Sequence, residues 1–240
     1  MSVSIRRIRA IVRKELREYR RTPSIVVAMG IIPLIFLVQP LVVVFGLPAS
    51  SSGQLAHAHV LLYLLGIPAL TPVLIAAYAV VGERRQDTLE PVLATPVLRE
   101  EFLLGKALAA LVPSAAVAYT VYALCIVFVA LFADPAVASA LLRWPQILAQ
   151  VLFTPLIAAW SIWVGMAISA KAGDIRVAQQ LGMLAGIPMI ALTSLTALDV
   201  IHPTLGRALG LAAVLLLLDA LGWRIVSAAF DRERLITGTR

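Results

Sequence analysis

The sequence holds a single cysteine, Cys125, so it has no internal disulfide framework and no thiolate zinc cluster. It has three histidines, His57, His59 and His202. It has no glycine-rich phosphate loop. Its only Gly-Lys pair, Gly105-Lys106, is followed by Ala107, and Glu100 stands where such a loop opens with glycine. A phosphate cradle needs the backbone N–H groups of that glycine-rich turn, so the chain is not expected to hydrolyse ATP. Charge is scarce as well, at 14% of residues, where soluble domains carry about 25%. What is abundant is grease: 61% of the 240 residues are apolar and the mean hydropathy is +0.95. Disorder is excluded, and a soluble fold of this length has too little polar surface to cover such an interior.

A bilayer core about 30 Å thick is crossed by about 20 apolar residues in a helix. Six segments reach that length: 24–45, 60–81, 107–131, 146–169, 177–198 and 205–227. Backbone polar groups in lipid must be satisfied within the segment, so these are helices, and none shows the short alternation of a barrel strand. The expectation is an all-α membrane protein with one transmembrane domain over residues 1–240. No internal repeat or second domain is visible. The run after residue 23 is longer than a signal-peptide core and ends in no cleavage site, so span one is expected to be retained.

The net charge of +7 suggests nucleic acid until its placement is read. Before span one lie Arg6, Arg7, Arg9, Arg13, Lys14, Arg17, Arg20 and Arg21. The loop after span two adds Arg84, Arg85, Arg99 and Lys106, the loop after span four Lys171 and Arg176, and the tail Arg224, Arg232, Arg234 and Arg240. The opposite side holds Arg143 and Arg207 alone. Eighteen basic residues against two is an orientation signal that puts both termini in the cytoplasm, so the partner is the lipid bilayer and no nucleic acid is expected.

Residues 1–23 place Val3, Ile5, Ile8, Val12, Leu16 and Tyr19 mostly three and four apart among the basic residues. That pattern predicts an amphipathic helix lying in the membrane interface, either as a topology anchor or against a cytoplasmic partner. Thr22-Pro23 ends it. The loop 82–106 reads GERRQDTLEPVLATPVLREEFLLGK. Asp87 or Thr88 can cap a short helix with Glu90 and Pro91 in its first turn, and Thr95-Pro96 is a second start signal with Pro96 at the first helical position. Leu89, Val92 and Leu93 give the short helix an apolar side, which reads either as a docking surface or as an ordinary solvated loop.

The order Glu83-Arg84, Thr88-Leu89-Glu90, Leu93-Ala94-Thr95-Pro96-Val97, Glu101 and Gly105-Lys106 resembles the signature of ABC-2 type permeases, the membrane subunits of a class of ABC exporters. Lys14-Glu15-Leu16 with Arg20 and Arg21 is similar to that family's opening, and Gln86-Asp87 departs from its usual residues. The resemblance implies an export permease in the cell (inner) membrane that pairs with a second permease chain as a homodimer. It implies two copies of a separate ABC ATPase subunit, which bind the ATP and Mg. No cofactor or metal is then expected in this chain. It implies that 88–96 is a coupling helix, so that Glu83, Arg84, Thr88, Leu89, Glu90, Leu93, Thr95, Pro96 and Glu101 form the coupling site. The charged members would contact the ATPase or the N-terminal helix.

Within the spans, Asp219 is the one deep acidic residue. A carboxylate there costs about 2.5–3.5 kcal/mol on insertion scales. It reads either as part of a translocation path, or as a packing group paired with Arg224 or a polar neighbour. It also carries the alternative function, a secondary carrier or channel. Tyr119, Gln150 and Ser161 are further candidates to line a path. Gly182 and Gly186 form a G-x-x-x-G pattern that serves either a dimer contact or an approach within the chain. Prolines occur in five of the six spans and permit bends. Trp144 and Trp223 suit membrane interfaces. His57-Ala-His59 offers two metal ligands without a third, and Glu100-Glu101 lacks the intramembrane histidine of a membrane protease, so no enzyme is expected.

Overall fold

A computed structural model describes residues 3–46, 59–85, 97–202 and 204–229. Among these the chain forms helices and no strand. Six stretches are long and apolar enough to cross a membrane: Pro23–Gly46, Val60–Glu83, Arg99–Phe132, Trp144–Lys171, Ile175–Ala197 and Leu205–Ala229. Each overlies an expected span. Helix α1 (Ile5–Arg21) precedes them. Span one is α2 (Pro23–Gly46). Span two is composite: a 3-10 turn over Val60–Leu65, then α3 (Gly66–Ala76) and α4 (Tyr78–Arg85). Span three is α5 (Arg99–Phe132), followed by the short α6 (Pro135–Leu141). Spans four, five and six are α7 (Trp144–Lys171), α8 (Ile175–Ala197) and α9 (Leu205–Ala229).

Local chemistry sets several of these boundaries. Asp134 caps α6 by accepting from the N–H of Ala136 at 2.9 Å, with Pro135 at the first helical position. Asp174 caps α8 through the N–H of Arg176 at 2.7 Å. Span three begins at Arg99 with Leu98 as its cap, so the sequence signal placing its first helical residue at Pro96 is corrected. Val97 and Leu98 are not helical, and Glu101 supplies a capping oxygen to the Leu98 N–H; Thr95 lies outside the described residues.

Span two is the hub. Of its most apolar window 89% is buried, against 17–44% for the other five. Spans one, three, four and five all pack on it. The outer faces stay apolar, with Val26, Ile31, Leu34 and Val42 exposed on span one and Leu209, Leu217 and Leu221 on span six. Surfaces of that size need lipid or another protein against them. Helix α1 lies against the spans. Val12, Leu16 and Tyr19 turn onto a cluster of Ile25, Phe102, Leu103 and Ala107, so its apolar side packs on spans one and three while Val3 and Ile5 remain exposed.

Candidate functional site

The end of the bundle that carries α1 also carries the two bases of the loop after span two. Gly105 on span three lets α1 approach. A Cβ there would lie 2.6 Å from Ile11 Cγ2, so only glycine allows this separation of the two helices.

Four charged side chains meet beside that contact. The Lys106 ammonium lies 2.9 Å from Glu15 Oε1 and 3.0 Å from Glu83 Oε1. Lys14 binds the same Glu83 oxygen at 2.5 Å and sits 3.5 Å from Glu15. Lys106 is 2% exposed, Glu15 3% and Glu83 4%. Lys106 also stands 5.1 Å from the centre of the Phe102 ring. Glu18, 3.7 Å from Lys14, adds a third carboxylate at the more exposed edge, and burial of the inner charges is tolerable because they are paired. Partial burial pulls the Lys14 ammonium down, but the hydrogen bond it donates to Glu83 and the carboxylates of Glu15, Glu83 and Glu18 outweigh it and hold its pKa above the ordinary lysine value. Burial, then the Glu15 carboxylate, pushes the Tyr19 phenol well above the usual tyrosine range.

Glu101 makes a second tie. It is fully buried. It accepts from the backbone N–H of Ser4 at 2.6 Å, from that of Leu98 at 3.0 Å and from Arg7 at 3.0 Å. Ser4 and Leu98 are the caps of α1 and α5, neither of which has a capping side chain of its own. One carboxylate therefore satisfies orphan donors at two helix starts and sits at the positive ends of both dipoles.

Of the sequence-predicted coupling residues, Glu83 and Glu101 are thus brought to the N-terminal helix. Arg84 lies at the end of α4, and nothing is described of its side chain. Thr88, Leu89, Glu90, Leu93, Thr95 and Pro96 lie outside the described residues. Lys106 and Glu15 had been read as motif letters, without their role as partners. The signal for Lys106 was position, a lysine directly before the apolar run of span three; Glu15, among charges on both sides, gave none.

The candidate path residues do not gather. Tyr119 donates to the Val151 carbonyl at 2.9 Å and ties span three to span four. Gln150 is fully buried, donates to Thr154 Oγ1 at 3.2 Å and leaves its Oε1 without a partner. Ser161 donates to the Ala69 carbonyl of span two at 2.9 Å. Asp219 shares a stripe of span six with Leu215, Gly222 and Val226, and its Oδ1 is buried without a hydrogen-bond partner. It makes no ion pair with Arg224, which is exposed. Gly182 and Gly186 face span two of the same chain: a Cβ at either would lie 2.8 Å from Val73 or 2.9 Å from Leu70. Their close approach is therefore made within the chain. Trp223 packs edge-on to Trp163 at 5.5 Å, whereas Trp144 is exposed. His57 lies outside the described residues. His59 and His202 both meet Asp199, at 3.8 Å and 2.8 Å, and among the described residues no group of three such side chains is set to hold a metal.

No curated protein matches the chain. The family described as ABC-2 type transporter matches residues 6–206. That match covers α1 from its second residue, spans one to five and the loop between spans two and three, and with six apolar helices it makes the chain a multi-pass membrane protein. The chain belongs to the ABC-2 type transporter family and is a permease component of a transporter.

Proposed function

We propose that the chain is the permease half of an ATP-driven exporter, working as a homodimer with two copies of a separate ABC ATPase that binds the ATP and Mg. Both termini and the loop 82–106 face the cytoplasm, as the placement of eighteen of twenty basic residues argues. The observation that carries the reading is the buried charge group around Lys106. It joins both bases of that loop, Glu83 and Lys106, to α1. Residues 88–96 then issue from a braced platform of α1, α4 and the base of α5. A push on that segment moves three helices together. Thr88, Leu89, Glu90, Leu93, Thr95 and Pro96 present the coupling surface to the ATPase, while Glu83 and Glu101 hold the platform.

The test is ATP turnover of the permease reconstituted with its ATPase in lipid vesicles. Glu90→Lys and Leu93→Asp are each expected to insert and fold as wild type while ATP turnover no longer responds to the permease. Normal coupling in both variants overturns the assignment. The unpartnered oxygen of Asp219 keeps one other reading in play, a carrier driven by an ion gradient. On that reading transport proceeds without ATP and is lost in Asp219→Asn.

A further inference from the structure

Span two does not hydrogen-bond to itself throughout. In an unbroken helix the N–H of Val81 donates to the carbonyl of Ala77. Here the hydroxyl of Ser169, from span four, stands between them. Ser169 Oγ donates to the Ala77 carbonyl at 2.6 Å and accepts from the Val81 N–H at 3.1 Å. The backbone of Ala77 stays right-handed helical, with φ −60° and ψ −26°. The span therefore remains one rod in outline, interrupted at Ala77 between α3 and α4. Insertion of a side chain into the i to i−4 ladder is a recognised cause of helix bending.

Span four is built to reach this backbone. Ser161, Gly165 and Ser169 lie four residues apart on one of its faces. A Cβ at Gly165 would stand 2.9 Å from the Val73 carbonyl and 2.8 Å from Ala76 Cβ, so glycine alone admits the contact. Ser161 binds the Ala69 carbonyl two turns further along. Ser169 is fully buried, and these two bonds go to span two.

The opened bond has distinct neighbours on its two sides. Above it, α3 is buried on every side. Below it, α4 is tied to the platform: Tyr78 shares a hydrogen bond of 2.7 Å with Ser24, and Glu83 is held by Lys14 and Lys106. A cavity of about 90 Å³ bordered by Tyr19, Tyr78, Gly82 and Glu83 leaves room on the α1 side of α4.

We infer that Ser169 is a positioning residue for the transport cycle, holding span two open at Ala77 so that the platform of α1 and α4 pivots against the rest of the span. The inference rests on the coupling reading above. With the hydroxyl in place the Ala77–Val81 bond is replaced by two bonds to another helix, and small relative movements of spans two and four exchange one arrangement for the other.

The experiment uses Ser169→Ala, Ser169→Thr and, as a comparator, Leu93→Asp, each reconstituted with the ATPase partner. It reads ATP turnover together with hydrogen exchange of the 77–85 segment. In Ser169→Ala the direct bond from Val81 to Ala77 closes. Val81 N–H keeps one acceptor in either arrangement, so exchange over 77–85 is expected to slow severalfold because a closed ladder opens locally less often. ATP turnover is expected to lose its response to the permease, with unchanged thermal stability. Ser169→Thr keeps a hydroxyl and restores both readouts. Faster exchange with a lower melting temperature in Ser169→Ala makes the serine an ordinary packing contact and overturns the inference. Slowed exchange with normal turnover also overturns it, provided Leu93→Asp uncouples. If Leu93→Asp itself turns over normally, the coupling reading fails instead.

Discussion

Removing the Lys106 ammonium is the sharpest perturbation of the platform. Lys106→Met keeps the length of the side chain and the packing on Phe102. It leaves Glu15 and Glu83, 3% and 4% exposed, facing the space that one cation had filled. Lys14 remains, but its side chain is 47% exposed and it is one cation for two carboxylates. Breaking a buried pair by deleting one partner costs about 3–5 kcal/mol, because the other charge stays behind unpaired. A chain of this length loses roughly 2–4 °C of melting temperature per kcal/mol, so the midpoint is expected to fall by roughly 10 °C. The four tryptophans report the transition by fluorescence in nanodiscs. The second variant is Lys106→Met with Glu15→Gln. It restores charge balance, because Lys14 still pairs with Glu83 at 2.5 Å. The double variant is therefore expected to melt above Lys106→Met alone, with a coupling energy of about 1–3 kcal/mol. Salt is not expected to mimic either change, since buried pairs are screened little. A midpoint within about 2 °C of wild type for Lys106→Met, or simple additivity of the two substitutions, refutes the argument.

Gly105→Ala places a methyl group against Ile11 and is expected to loosen α1 from span three at a cost of about 1–3 kcal/mol, read as faster tryptic cleavage within α1. Gly186→Leu overpacks the contact with Leu70 and the Ala69 carbonyl, so it is expected to lower thermal stability while leaving the oligomeric state measured by light scattering unchanged. Loss of the dimer at wild-type stability reverses that reading. Asp219→Asn removes a carboxylate with an unpartnered buried oxygen and is expected to raise stability slightly and leave ATP-driven turnover intact. A collapse of turnover in this variant makes Asp219 part of the transport path.

The spans were legible because length and apolarity are local properties. A run of twenty apolar residues is a helix in lipid whatever surrounds it. The orientation argument also rests on a local property, since lysines and arginines near span ends act one by one. The partners of the buried charges were not. Glu101 looked like one of several acids in a charged loop, yet it caps a helix that starts 94 to 97 residues earlier in sequence. No window-based signal links Ser4 to Glu101. For helix α1, an amphipathic pattern states that one side is buried and leaves open what buries it. Here protein does so as far as Tyr19, which is 6% exposed among residues of spans one to four and six.

Ser169 shows the other limit. In the sequence it is one more small residue near the end of an apolar run. Its effect falls on a hydrogen bond between two residues of another span, 88 positions away from Val81. Propensity and periodicity treat span two as a helix with two prolines, and Pro68 and Pro72 are where a bend is looked for. The interruption lies instead at Ala77, where no proline stands within four residues. A helix opened from outside responds to the movement of the element that opens it, whereas a proline kink is fixed in its own chain. Span four therefore has a means of changing the stiffness of span two without altering any residue of it, and Ser161-Gly165-Ser169, at fourfold spacing, is the pattern by which sequence can disclose it.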